Sequence, residues 1–196
     1  MNVYDFDNTI YDGESVFDFY LFCLRSQPRL VKYLFVVVTC FIKYKFCLMT
    51  VDDFIEKSEK YALKLLYEID DLEGKIKKFW QKNAHKIKPF YALQHKPDDV
   101  VISASFDFLI EDICRELGIK NLVSSEIDRK TGELLQLCYR KNKTELFKHK
   151  FGDAEIDNFY TDSKNDIPMM KLAKNTFLVK GLKIKPYNKY SQPQNN

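Results

Sequence analysis

The 196-residue sequence lacks any arrangement of cysteine and histidine that would hold a transition metal. Its five cysteines include no Cys-x-x-Cys pair, and its three histidines show no zinc-ligand spacing with one another or with a cysteine. An odd number of cysteines, several of them among apolar neighbours, is typical of reduced thiols that pack as small core residues. We therefore expect a cytoplasmic protein without disulfides.

A strong charge bias is also missing. The net charge is only +3, whereas nucleic-acid-binding modules usually carry a larger and more local basic excess. We therefore expect no nucleic-acid partner. The first residues include Asp5 and Asp7 and lack the basic region that begins a secretory signal peptide.

The apolar run at residues 33–42 falls short of the ~20 residues that a membrane-spanning helix needs. Basic residues flank it, with Arg29 and Lys32 before it and Lys43 and Lys45 after it. One interpretation is a buried helix. The other is an amphipathic element on a membrane surface, with its basic flanks facing anionic headgroups. Both stay open, so peripheral membrane contact is an alternative to a fully cytoplasmic protein.

Short strands and helices alternate along the chain, apart from one long helical stretch after the first strand. Strands are predicted at 2–6, 100–102, 122–125, 158–161 and 176–179. Helices are predicted within 13–88 and at 106–117, 143–150 and 168–174, with a linker between Pro89 and Pro97 and a hairpin turn at 130–133. This alternation predicts an α/β fold with a Rossmann-like parallel sheet.

The interruption divides the predicted fold into two parts. We expect a catalytic core formed by residues 1–12 and 97–186, a helical cap at 13–96 that is inserted after the first strand, and a flexible tail at 187–196.

Polar side chains follow several of the predicted strands. Asp5 and Asp7 follow the first, Ser103 the second and Asp162 a later one. Because ligands bind at the carboxyl ends of parallel strands, we expect these side chains to lie together. Phosphoryl transfer to a carboxylate requires a nucleophile and a metal that neutralises phosphate oxygens, and Mg²⁺ prefers carboxylate and water ligands.

The residue types suggest roles in such a site. Asp5 can supply both the attacking oxygen and a metal ligand, and Asp162 a second metal carboxylate with Asp166 close behind it. Ser103 and Lys143 would hold the phosphate. Simpler interpretations stay open, because the carboxylates could be solvated loop residues, Ser103 or Ser105 a helix N-cap, and Lys143 part of a solvated basic face.

Four segments in this order resemble the haloacid dehalogenase superfamily, in its phosphoserine-phosphatase-like branch. They are Asp5-Phe6-Asp7-Asn8-Thr9, Ser103-Ala104-Ser105-Phe106, Asn142-Lys143 and Tyr160-Thr161-Asp162-Ser163-Lys164-Asn165-Asp166. The resemblance implies that Asp5 is the nucleophile, that Asp7 is the general acid and base with its carbonyl on Mg²⁺, and that Thr9 helps to bind phosphate. The sequence departs from the family at Thr161 and at Ala104-Ser105, where glycines are usual.

The resemblance implies a phosphatase acting on a small-molecule or lipid phosphate. A phosphoserine-like substrate would be held by cap residues, for which Glu14 is a candidate. Bacterial phosphatidylglycerophosphate phosphatases have a similar apolar cap segment after a sequence that resembles Arg25-Ser26-Gln27-Pro28. A phosphotransferase or mutase on the same core, and a non-catalytic protein that keeps the metal site, are the alternatives.

Overall fold

The computed structural model describes residues 1–33, 35, 36, 39, 61, 64–131 and 133–190. Several sequence-based predictions fall wholly or partly outside this set. They are most of the apolar run at 33–42, residues 43–60 of the predicted helical stretch, Gly132 of the hairpin turn and the tail at 191–196.

A seven-stranded sheet forms the centre of the protein, in the order β4-β3-β2-β1-β5-β6-β7. Its strands are β1 (Asn2–Tyr4), β2 (Val100–Phe106), β3 (Asn121–Ile127), β4 (Leu134–Gln136), β5 (Ile156–Thr161), β6 (Ala173–Lys180) and β7 (Lys183–Pro186). The edge strands β4 and β7 are antiparallel to their neighbours, and the other pairings are parallel. The predicted α/β fold with a mostly parallel sheet is therefore confirmed.

The short strand β1 lies between β2 and β5 and pairs with both. Val3 is opposite Val100 on one side and Phe159 on the other. The strand order therefore runs outward in both directions from β1. In open α/β sheets, this kind of reversal leaves a crevice at the carboxyl ends of the strands, where ligands bind.

The principal helices are α1 (Ser15–Ser26), α2 (Leu72–Asn83), α3 (Pro89–Gln94), α4 (Asp107–Glu116), α5 (Lys141–Phe151) and α6 (Ile167–Met170). The first three lie between β1 and β2, which confirms a helical insert after the first strand. The insert begins and ends side by side, because the Asp12 amide donates to the Lys86 carbonyl at 2.9 Å and the Lys88 amide to the Ile10 carbonyl at 2.8 Å. Within the described residues, no helix combines the length and the apolar character needed to cross a bilayer.

Three local predictions differ from the structure. The prediction of a linker between Pro89 and Pro97 is wrong, because Pro89 begins helix α3. At the first position of a helix, the missing N–H of proline costs no hydrogen bond. The helix at 168–174 is too long, because Ala173 already pairs with Ile156 in the sheet. Strand β7 was not predicted, since its alternating lysines are typical of a protected sheet edge rather than of a buried strand.

Both faces of the sheet are covered by apolar side chains. Val3 and Tyr4 point to opposite faces, as successive strand residues do, and belong to different buried clusters. The insert contributes Phe79 and Trp80 to the cluster of Tyr4, and the Trp80 indole donates to the Leu109 carbonyl at 2.6 Å. Because burial of one large apolar side chain is worth roughly 1.5–3 kcal/mol, these contacts stabilise the packing of the insert on the core.

Candidate active site

The loop after β1 displays three of the predicted site residues. The Asp5 amide donates to the Tyr160 carbonyl at 2.9 Å and so extends the pairing with β5. The chain then turns sharply, with the amides of Ile10 and Tyr11 both bonded to the Phe6 carbonyl at 2.8 and 2.9 Å. Asn8 takes up a left-handed conformation with φ of 54°, which asparagine adopts more readily than most residues. The turn places Asp5, Asp7 and Thr9 close together.

Lys143 joins the first and fourth sequence motifs. Its ammonium lies 2.8 Å from Asp5 Oδ1 and 3.1 Å from Asp166 Oδ1. The Thr161 hydroxyl donates to Asp166 Oδ2 at 2.8 Å. All four side chains are buried, so the interpretation of Lys143 as part of a solvated basic face is wrong.

The electrostatics of this group are dominated by burial. Burial raises the pKa of Asp5 to about 7, with Lys143 opposing the rise and Asp166 adding to it. Burial alone would lower the pKa of Lys143, but Asp5 and Asp166 outweigh it and raise that pKa above its usual value. One ammonium therefore compensates for two buried carboxylates, which leaves an excess of negative charge.

Asp7 is held by donors on both carboxylate oxygens. The Ser15 amide donates to Oδ1 at 2.7 Å, and the Ser105 hydroxyl donates to Oδ2. Burial raises the pKa of Asp7, and the bonds from Ser105 and Ser15 oppose the rise. Asp5 is buried and Asp7 is partly buried, so neither is a solvated loop residue.

The two serines of the second motif lie within strand β2, which runs to Phe106, so the prediction that Ser103 follows this strand is wrong. Ser103 is buried, and its hydroxyl accepts from the Ser105 amide at 3.0 Å. The N-cap of α4 is Phe106, and it makes no side-chain capping bond. The interpretations of Ser103 or Ser105 as an N-cap are therefore wrong.

Thr9, like Asp5 and Asp7, is a residue of the first motif whose polar side chain lies at the site. Its hydroxyl is fully buried and lies 3.5 Å from Asp5 Oδ2, at the outer limit of hydrogen-bond distance. Thr9 and Lys143 thus approach different oxygens of the same carboxylate.

Asp162 follows directly after β5 and is half-buried. Burial and the neighbouring Asp166 raise its pKa, while Lys143 and Lys88 lower it. The described residues include no group of three or more His, Cys, Asp or Glu side chains that would hold a metal. A magnesium site needs only one or two carboxylates, completed by a carbonyl, water or phosphate.

Asp5 and Asp162 fit the carboxylates of such a site. They follow the neighbouring strands β1 and β5, and burial raises the pKa of each. A divalent cation between these strands would offset the excess negative charge. Asp166 bonds to Lys143 and Thr161, and its role as a metal ligand stays a prediction.

Lys88 is a site residue that the sequence analysis missed. Its side chain is almost wholly buried, donates to the Asn8 carbonyl and lies 3.6 Å from Asp12. No motif surrounds it in the sequence, and only the fold brings this end of the insert against the first-motif loop. Glu14, the candidate for binding substrate, accepts from the Asn8 amide group at 2.6 Å.

Comparison with known families agrees with this geometry. The sequence model of the haloacid dehalogenase-like hydrolases matches residues 3–171, a span that includes all four motifs. The match confirms the family predicted from those motifs and, with it, the prediction of a hydrolase. No curated protein sequence matches the chain significantly.

Solved structures with the same fold include proteins from three bacteria. A protein of unknown function from Bordetella pertussis Tohama I is 17% identical, with a TM-score of 0.67 over 87% of this chain and 85% of that one. A phosphoserine phosphohydrolase-like protein from Francisella tularensis is 16% identical, with a TM-score of 0.56 over 90% and 86%. A haloacid dehalogenase family hydrolase from Salmonella enterica serovar Typhi is 12% identical, with a TM-score of 0.56 over 87% of this chain and 59% of that one. At these identities the likeness shows a shared fold.

Proposed function

Because the chain belongs to the haloacid dehalogenase-like hydrolase family, we propose that it is a magnesium-dependent phosphomonoesterase that works through a phospho-aspartyl intermediate on Asp5. The observation that carries the proposal is the approach of the Lys143 ammonium to Asp5, at 2.8 Å in a buried site. A carboxylate that lies beside a fixed cation at the carboxyl ends of parallel strands is suited to attack phosphorus, since the cation also neutralises phosphate oxygens.

In the first step, a carboxylate oxygen of Asp5 attacks the phosphorus of the monoester. The bond from phosphorus to the alcohol oxygen breaks, and Asp7 gives that oxygen its proton. Lys143, Thr9 and Ser103 bind the phosphoryl oxygens. An ammonium has three N–H donors, so Lys143 can bond to phosphate while it keeps a bond to Asp166.

In the second step, water attacks the phosphorus of the phospho-aspartate. Asp7, now a carboxylate, accepts a proton from that water, and the bond between phosphorus and Asp5 breaks. Inorganic phosphate leaves, and the Asp5 carboxylate is restored. Asp7 therefore acts as acid and then as base, which requires a fixed position close to the reacting oxygen.

Asp5, Asp162 and the Asp7 carbonyl are the groups that would hold Mg²⁺, with Asp166 supporting them through Lys143. The ion would supply positive charge to the phosphate oxygens as the phosphoryl group is transferred. The raised pKa values of Asp5 and Asp162 support this assignment, because a nearby cation would favour their ionised forms.

Residues 13–96 would act as a cap over the crevice, and residues 1–12 and 97–186 as the catalytic core. The two chain crossings lie side by side at 10–12 and 86–88, and this arrangement suits a hinge. A cap that closes over the phosphate would exclude bulk water during the first step and admit it for the second.

The substrate would be a small-molecule or lipid phosphomonoester. A panel of phosphoserine, nucleotides, sugar phosphates and phosphatidylglycerol phosphate, each assayed for phosphate release, would identify the class. Sedimentation with anionic vesicles would test whether the basic and apolar segment around residues 33–42 contacts a membrane surface. Transfer to added alcohols, rather than release of phosphate, would indicate a phosphotransferase.

The decisive experiment is Asp5→Asn assayed with p-nitrophenyl phosphate and Mg²⁺. We expect turnover to fall by roughly 10⁴-fold or more, because loss of a nucleophile removes the covalent route. Asp157→Asn is the matched control and should keep its activity, because this half-exposed carboxylate on β5 pairs with Lys174 and the Met1 amino group. Full activity of Asp5→Asn would refute the mechanism.

A second measurement covers the case in which Asp5→Asn does not fold. Wild-type protein should bind beryllium fluoride in the presence of Mg²⁺, because this anion mimics the phosphoryl group on an aspartate. Absence of binding, together with no hydrolysis across the substrate panel, would favour the non-catalytic alternative.

A further inference from the structure

The carboxylate of Asp7 has a protein donor on each oxygen. Oδ1 accepts from the Ser15 amide at 2.7 Å, and Oδ2 accepts from the Ser105 hydroxyl. The hydroxyls of Ser15 and Ser105 lie 2.8 Å apart. A serine hydroxyl has only one proton, and Ser105 gives its proton to Asp7. The Ser15 hydroxyl can then donate to Ser105 or to Asp7 itself, and the three side chains form one hydrogen-bonded chain.

This hydrogen-bonded chain joins the two parts of the fold. Ser15 is the first residue of α1 in the insert, whereas Ser105 lies in β2 of the core. Both side chains are buried. Because neither hydroxyl is exposed to bulk solvent, water does not readily replace a lost partner. Removal of the Ser105 hydroxyl therefore leaves Asp7 Oδ2 without its donor, while the Ser15 amide still holds Oδ1.

The family resemblance does not account for this arrangement. Ser105 stands where the related sequences usually have glycine, so its hydroxyl is a feature of this chain. It also does not cap α4. Its side-chain bonds go to Asp7 and Ser15, which points to a role that depends on Asp7.

We propose that Ser15 and Ser105 are positioning residues that direct the Asp7 carboxyl toward the oxygen of the leaving alcohol. This inference rests on the proposed function. General acid catalysis requires hydrogen-bond distance to the oxygen that receives the proton. Two fixed donors stop the carboxyl group from rotating and keep one of its edges directed into the crevice. Because Ser15 belongs to the insert, this aim is complete only while the insert is docked on the core.

The test compares leaving groups of different basicity. The substrates are aryl phosphates that range from p-nitrophenyl phosphate to phenyl phosphate. The p-nitrophenol leaving group departs with little need of a proton, whereas unsubstituted phenol needs one. For Ser105→Ala we expect kcat/KM to fall about 10- to 100-fold for phenyl phosphate and to stay near the wild-type value for p-nitrophenyl phosphate. Ser15→Ala keeps the amide donor to Oδ1 and loses only the hydroxyl contact with Ser105, so it should give the same pattern with a smaller loss. Ser105→Thr, which keeps a hydroxyl, should restore activity toward phenyl phosphate.

Ser124→Ala is the matched control, because Ser124 is a buried serine on the neighbouring strand β3. It should leave the dependence on the leaving group unchanged. Ser105→Gly serves in place of Ser105→Ala if the alanine variant does not fold. An equal loss for all leaving groups, or no loss, would overturn the positioning role while the phosphatase function stands. An inactive wild-type protein would overturn both.

Discussion

Lys143 and Asp5 form a buried ion pair at 2.8 Å although 138 positions separate them in the sequence. Asp5 follows the central strand β1, and Lys143 lies in the first turn of α5. The same ammonium reaches Asp166 at 3.1 Å. A single cation therefore connects the first, third and fourth sequence motifs, and both the stability and the proposed chemistry of the site depend on it.

Replacement of Lys143 by methionine should destabilise the protein by about 3–5 kcal/mol at pH 7, because it leaves Asp5 and Asp166 buried without their cation. The pKa of Lys143 is raised in the folded protein, so its contribution is fully present below the unfolded pKa and is lost only as the pH rises through the folded pKa. In the variant, a proton can neutralise Asp5 instead, because burial already raises the pKa of Asp5. The loss measured by urea unfolding should therefore be smaller at pH 5 than at pH 7.

Lys148→Met provides the control for this prediction. Lys148 is exposed on the same helix, and its replacement should change the free energy of unfolding by no more than about 0.5 kcal/mol at either pH. Equal losses in the two variants, or a loss in Lys143→Met that does not depend on pH, would contradict the role of the buried pair.

Lys88 should stabilise the loop that carries the first motif. Lys88→Met leaves the Asn8 carbonyl without its ammonium partner, which should cost about 1–3 kcal/mol in unfolding free energy. Because Asn8 lies between Asp7 and Thr9, kcat should also fall. The comparison is Lys86→Met, since Lys86 forms a partly exposed ion pair with Asp18 that is worth only about 0–1 kcal/mol. Equal urea midpoints for the two variants would show that Lys88 does not hold the loop.

The cysteines within the described part of the chain should be unreactive in the native protein. Cys23, Cys114 and Cys138 are buried free thiols. Burial raises the pKa of Cys23 to about 11 and that of Cys138 to about 12, so little reactive thiolate is present at pH 8.

A variant with Cys40→Ser and Cys47→Ser allows this to be measured, because it keeps only those three thiols. Ellman's reagent should detect almost none of them in the native variant and all of them in urea. Leu135→Cys, at an exposed position, should add one rapidly reacting thiol. Rapid labelling without Leu135→Cys would show that the buried thiols are accessible.

Much of the fold and the site could be predicted from the sequence because both rest on local patterns. Alternating strands and helices gave the sheet class, and the first and fourth motifs gave the family, which the match to residues 3–171 confirms. The structure brings Asp5, Thr9 and Lys143 together as predicted. The linker predicted at Pro89 is a helix in the structure, because proline can begin a helix as well as interrupt one.

The supporting residues could not be predicted, because their roles depend on contacts between distant segments. Ser15 and Ser105 are 90 positions apart, and Lys88 and Asn8 are 80 apart. A serine in a strand or a lysine before a proline has no distinctive local pattern. Only the close packing of the insert against β2 and the first loop gives these side chains a partner.

Mg²⁺ should stabilise the wild-type protein against urea, because Asp5 and Asp162 would bind the ion only in the folded state. The expected gain is about 2.7 kcal/mol when the free ion is at 100 times its Kd, measured against a sample with EDTA. Since burial raises the pKa of both carboxylates, protons compete with the ion, and the gain should be smaller at pH 5.5 than at pH 7.5. Asp162→Asn should lose most of the gain, whereas Asp157→Asn, whose half-exposed carboxylate pairs with Lys174, should keep it. A gain of equal size in Asp162→Asn and wild type would place the ion elsewhere.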